Sequence, residues 1–104
     1  MFQNVDNRKF KELFKKANTL VLDVRTPKEV AEGHIPQANL FLDINDPSFE
    51  SQLAKLDKSK NYLVYCRSGA RSARACKLME EKGFKGELYN LAMGITGWDG
   101  DVKK

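Results

Sequence analysis

The sequence predicts an α/β protein, a mainly parallel five-stranded sheet with helices on both faces. Two observations carry this. Short apolar runs such as Leu20-Val21-Leu22 and Tyr62-Leu63-Val64-Tyr65 are continuous rather than alternating, the pattern of strands covered on both sides. Between these runs lie stretches that open on capping residues and carry apolar side chains at helical spacing. Strands alternating with helices build parallel sheets. The chain has 104 residues, enough for one modest core and not for two, so a single domain over 1–104 is expected.

Phe2 to Val5 reads as a short first strand. Asp6 is a candidate N-cap for a helix from Asn7 to about Lys16, with Phe10, Leu13 and Phe14 on its apolar face. Leu20 to Leu22 forms the second strand and ends at Asp23. Thr26-Pro27-Lys28-Glu29 then combines a cap, a proline at the first helical position and a capping-box glutamate, and the short helix stops at Gly33. A third strand falls at Asn39 to Leu42. Asp46-Pro47 repeats the cap-then-proline signal and opens a helix to about Leu56, burying Phe49, Leu53 and Leu56. Asn61 to Tyr65 is the fourth strand. From Ser72 strong helix formers take over and run to about Gly83. Glu87 to Leu91 gives the fifth strand, Gly94 to Trp98 a closing turn or short helix with Trp98 as packing, and the polar tail Asp99 to Lys104 is expected to fray.

The composition narrows the function. Hydrophobic residues at 41% and charged residues at 31% are those of an ordinary globular protein, and no apolar run approaches a membrane span. The first residues lack the basic and apolar stretches of a signal peptide, so a cytoplasmic protein with no membrane partner is expected. A net charge of +4, spread among acidic residues, points to a solvated surface and not to a nucleic-acid binder, although it favours small anions. The two cysteines, Cys66 and Cys76, match neither a zinc spacing nor a redox pair, and no metal or cofactor is expected.

The chemistry concentrates in Cys66-Arg67-Ser68-Gly69-Ala70-Arg71-Ser72, between the fourth strand and the helix after it. A strand that reverses tightly into a helix aims several backbone N–H groups at one point, and the helix dipole adds positive charge there. A cysteine in that cup is favoured as the thiolate: its ordinary pKa of ~8.5 falls to roughly 3.5–7.5 in such places. Cys66 as an inert core thiol does not explain the polar residues that follow it at once. Arg67 and Arg71 sit badly at a helix N-terminus unless an anion is also bound there. Ser68 and Gly69 suit the backbone path of the loop, with the glycine free to take a torsion other residues resist. In parallel sheets ligands lie beyond the carboxyl ends of the strands, where Cys66, Asp23 and Arg25 all fall.

The loop resembles the active-site loop of rhodanese-domain sulfurtransferases. Leu22-Asp23-Val24-Arg25-Thr26-Pro27 with Glu29, and Glu32-Gly33-His34-Ile35-Pro36 with Ala38, are similar to the same family, in the same order. The resemblance runs from about the first strand to Trp98 and implies a rhodanese-like fold. It implies that Cys66 takes a sulfane sulfur from a donor such as thiosulfate, holds it as a persulfide, and gives it to cyanide or to a thiol such as glutathione or thioredoxin. Arg67, Ser68, Gly69, Ala70 and Arg71 would bind the donor. Asp23 and Arg25 would brace the loop from the neighbouring strand end. His34, the only histidine, belongs to a stretch that is a structural turn in this family, which argues against a Cys66–His34 dyad. Cys76 shares a helical stripe with Ala73 and Met79 and is expected in the core. One position departs from the family pattern: Met93 stands where relatives often carry the first of two adjacent glycines.

Two rival readings remain. Cysteine phosphatases also combine a cysteine, a backbone cup and an arginine, but they place one residue more between them than the four that separate Cys66 from Arg71. The shorter loop encloses a smaller cup, suited to a single sulfur. A non-catalytic module that carries or senses persulfide sulfur for a partner protein is the other.

Overall fold

The computed structural model describes residues 1–104. Its strands are β1 (Gln3–Val5), β2 (Thr19–Asp23), β3 (Leu40–Phe41), β4 (Asn61–Tyr65) and β5 (Leu88–Leu91). They form one sheet in the order β1-β5-β4-β2-β3, and every pairing is parallel. The helices are α1 (Asn7–Leu13), α2 (Pro27–Glu32), α3 (Phe49–Ala54) and α4 (Ala70–Glu81), followed by a 3-10 turn at Ile95–Gly97. No helix is long and apolar enough to cross a membrane.

The central strand β4 sends alternate side chains to opposite faces. Tyr62, Val64 and Cys66 join a cluster with Phe49 and Leu53 of α3 and Ala75, Cys76 and Met79 of α4. Leu63 and Tyr65 join the other cluster, with Phe10 and Leu13 of α1, Val21, Tyr89 and Leu91. Both faces are therefore covered, which is why the strands read as unbroken apolar runs. Cys76 is fully buried in the first cluster, as expected from its stripe.

The capping signals hold in two helices and shift in a third. Asp6 caps α1 by accepting from the Lys9 N–H at 2.8 Å, and Thr26 and Glu29 close the reciprocal capping box of α2. Helix α1 stops at Leu13 rather than Lys16. The next residues tighten into i to i−3 bonds, Lys15 to Glu12 and Lys16 to Leu13, and Asn18 turns left-handed at φ 59° to enter β2. Asp46-Pro47 precedes α3 without opening it. The Asp46 carboxylate takes the backbone N–H and hydroxyl of Ser48 at 2.8 and 2.6 Å, forming a separate turn, and the helix begins at Phe49. It ends at Ala54, and Leu56 packs on the core from beyond it, only partly buried. Helix α4 starts at Ala70, two residues before Ser72, so Arg71 lies in its first turn.

The tail is bridged back to the fold at one point. Lys103 and His34 exchange both backbone hydrogen bonds, at 2.8 and 2.9 Å, and Val102 lies against Gly33. A sequence of polar residues hides this, because the bonds use only backbone. His34 meets Phe41 edge-on at 5.3 Å and makes no side-chain bond to Cys66.

Candidate active site

β4 delivers Cys66 to the carboxyl edge of the sheet, where the chain turns through Arg67, Ser68 and Gly69 into α4. Gly69 makes the turn possible. It sits at φ +100°, and a Cβ there would drive into the Ala92 carbonyl, so no other residue fits without rebuilding the loop. The turn points the Gly69 and Ser72 N–H groups at Cys66 Sγ, at 3.2 and 3.3 Å, and the Ser72 hydroxyl donates from 3.3 Å. Cys66 itself is buried, 1% exposed, at the bottom of this cup.

The cup decides the charge state of the sulfur. Burial pushes the Cys66 thiol up, but the Ser72 hydroxyl, the Ser72 N–H and the Gly69 and Ser68 N–H groups outweigh it, and the pKa lies below its ordinary value. Cys76 has burial without donors: its thiol is pushed up to about 12, with Glu80 and Cys66 adding to the effect. The two thiols differ in environment, and only Cys66 is built to be an anion.

The loop is docked against the turn after β5. Ile95 N–H donates to the Cys66 carbonyl at 2.9 Å and Thr96 N–H to the Arg67 carbonyl at 3.0 Å. Behind the loop Asp23 and Arg25 form a buried pair, Nη2 to Oδ2 at 2.8 Å with Nε on both carboxylate oxygens. Arg25 also donates to the carbonyls of Gly33 at 2.7 Å and Glu29 at 3.3 Å, tying the end of β2 to the first turn and the C-cap of α2. Asp23 lies in register with Tyr65, the residue before Cys66, and the Tyr65 hydroxyl accepts the Ile35 N–H at 3.0 Å.

The two loop arginines are differently placed. Arg71 grips Glu29 with both prongs, Nη1 to Oε1 and Nη2 to Oε2, each 2.9 Å. Its guanidinium is thereby committed, although the sequence marks it as a donor-binding cation. The same Glu29 oxygen accepts from the backbone and hydroxyl of Thr26, so one carboxylate closes the α2 box and holds α4. The Arg71 guanidinium, with help from Thr26 and against burial, holds the Glu29 carboxyl down at about 2. Arg67 is exposed and makes no ion pair. It borders a cleft of about 290 Å³ beside the loop, with Arg25, Glu29, Glu32, Thr96 and Val102 among its walls. Cys66 is not one of those walls. Ser68 and Ala70 are exposed on the rim of the loop.

Residues 6–101 match the sequence profile of the rhodanese-like domain. The chain belongs to the rhodanese-like domain family. YtwF of Bacillus subtilis (strain 168) is 42% identical over 83 residues, covering 80% of this chain and 76% of that protein. The thiosulfate sulfurtransferase GlpE of Coxiella burnetii (strain RSA 331) is 33% identical over 98 residues, covering 94% and 88%. The crystal structure of a rhodanese-like domain protein from Staphylococcus aureus superposes with a TM-score of 0.81 at 25% identity, covering 98% of this chain and 97% of that one. The fold is thus the rhodanese-like one, and sulfurtransferases stand among the relatives. At Met93, where this rhodanese-like domain departs from the family pattern, the side chain is 66% exposed and does not wall the cleft. The adjacent Gly94 is retained at φ +63°, where a Cβ would strike the Arg67 carbonyl.

Four contributors escape the sequence reading. The Ser72 hydroxyl was within view, as the residue after Arg71, but its role depends on the helix starting at Ala70. Glu29 reads as a capping residue, and only the fold sets it against Arg71. Tyr65 reads as core, which it is, and its hydroxyl is a strut as well. Asn90, 2% exposed between Tyr89 and Leu91, carried the one local signal: an amide inside an apolar strand.

Proposed function

We propose that this protein is a sulfurtransferase that moves a sulfane sulfur from a donor such as thiosulfate to an acceptor through a Cys66 persulfide. The observation that carries the reading is Cys66 Sγ, buried at the N-terminus of α4 with three hydrogen-bond donors within 3.3 Å. The thiolate attacks the outer sulfur of thiosulfate; the S–S bond breaks and its electron pair leaves with sulfite. The terminal sulfur of the persulfide carries the negative charge and faces the positive end of the helix. Cyanide, or a thiolate such as that of glutathione or thioredoxin, then attacks that sulfur and returns Cys66 as thiolate. The two half-reactions share one covalent intermediate, so the kinetics are ping-pong.

Arg67 is the cation free to attract the donor, and Arg71 serves by holding the helix. That assignment also weighs against phosphatase chemistry, in which the loop arginine must close on the phosphate. The test offers thiosulfate to the purified protein and follows the intact mass for one added sulfur, then adds cyanide and assays thiocyanate. A persulfide that forms and is not released to cyanide or a thiol would instead favour a carrier module.

A further inference from the structure

Asn90 of β5 and Ser72 of α4 converge on one atom, the carbonyl oxygen of Gly69. Three donors stand around it: the Ala73 N–H at 3.1 Å, Asn90 Nδ2 at 3.1 Å and the Ser72 hydroxyl at 3.2 Å. The first two are enough to fill both lone pairs of a carbonyl. Ser72 has only one hydroxyl proton, and its other acceptor is Cys66 Sγ at 3.3 Å. Where that proton points therefore depends on how well the Gly69 carbonyl is occupied by others.

The orientation of the Asn90 amide is fixed by its surroundings. A carbonyl can only accept, so the NH₂ must face Gly69. The same NH₂ reaches Asn4 Oδ1 at 2.9 Å, while Asn90 Oδ1 is buried with no partner. An orphaned oxygen in an apolar strand is a standing cost, and an aliphatic side chain would avoid it.

We propose that Asn90 is a positioning residue for the nucleophile: by occupying the Gly69 carbonyl it turns the Ser72 hydroxyl proton onto Cys66 Sγ. The inference rests on Cys66 being the reacting sulfur. Its test reads the thiolate directly, so it stands or falls apart from any transfer assay. The charged and titratable groups around Cys66 come from several elements: Arg71 and Cys76 on α4, Asp23 and Arg25 at the end of β2, Tyr65 on β4 and Arg67 in the loop. Asn90 hydrogen-bonds none of them; its side-chain partners are the Gly69 carbonyl, which leads to the sulfur through Ser72, and Asn4 Oδ1 on β1.

The experiment is the pH profile of Cys66 alkylation by iodoacetamide, followed by peptide mass. Asn90→Leu should move the midpoint to higher pH, so that below the wild-type midpoint it reacts several-fold more slowly. Ser72→Ala should move it at least as far, and Ser72→Thr, which keeps the hydroxyl, should stay near wild type. The double variant Asn90→Leu, Ser72→Ala should move it no further than Ser72→Ala alone, because the two act through one proton. Asn90→Ala supplies the same reading if the leucine variant does not fold. A midpoint unchanged by loss of the amide, or shifts that simply add in the double variant, would overturn the proposal.

Discussion

Arg71 and Glu29 form a two-pronged ion pair, both contacts 2.9 Å, that locks the first turn of α4 to the first turn of α2. The pair is partly shielded, with side chains 25% and 19% exposed, so its geometry is fixed while solvent still screens it. Glu29→Gln removes the charge and should cost about 1–2 kcal/mol of stability near neutral pH. The sign with pH follows from the depressed carboxyl. Its ordinary value is 4.5 and its folded value about 2, so the contribution is whole above the former and disappears as pH falls through the latter. Urea denaturation of both proteins as a function of pH should show the gap between them closing only on the acid side.

The arginines should separate kinetically. Arg67→Ala removes the free cation and is expected to raise KM for thiosulfate by about tenfold, some 1.4 kcal/mol, with kcat near wild type. Arg71→Ala should instead lower kcat and the melting temperature together, because it releases the helix that aims Ser72 at the sulfur. Steady-state kinetics with thiosulfate and cyanide distinguish the patterns. Equal KM effects with unchanged stability would show that both arginines contact the donor.

Gly94→Ala should be far more damaging than a change at its neighbour. Its Cβ would meet the Arg67 carbonyl, and φ +63° is a strained setting for any other residue. A loss of about 1–3 kcal/mol and a sharp fall in activity are expected, since the loop loses its seat. Met93→Gly, which changes an exposed side chain, should keep kcat close to wild type. Thermal melts and the sulfur-transfer assay of the two variants check both halves.

Much of the fold and of the Cys66 loop is legible in the sequence. Continuous apolar strands, Asp6, and the Thr26–Glu29 capping box all state local requirements, and the fold honours them. The Cys66 loop was readable for the same reason, because a strand-to-helix turn makes its own anion cup from backbone. What stayed hidden are meetings between distant segments. Glu29 satisfies its capping role completely in the sequence, so nothing there announces Arg71. The tail bridge to His34 uses backbone groups that every residue has. Asp46-Pro47 carries a valid helix-start signal that Ser48 diverted by offering the carboxylate two nearer donors.

The two cysteines should part cleanly on reaction. Cys66 lies below its ordinary value and Cys76 at about 12, with Cys76 fully buried. At about pH 8, limited alkylation should label Cys66 alone. Cys76→Ala should keep most of the activity and lose roughly 1 kcal/mol to the small void. Peptide mapping and chemical denaturation provide the check. A Cys76→Ala variant that accepts sulfur but fails to release it would make Cys76 a resolving thiol.

The most direct test of the central claim is the intact mass of the protein after exposure to thiosulfate, without reductant, followed by mapping of the modified peptide. The account predicts a gain of one sulfur on Cys66, its loss on addition of cyanide with thiocyanate formed, and no gain in Cys66→Ser. A wild-type protein that gains no sulfur, or carries it on Cys76, would contradict the account.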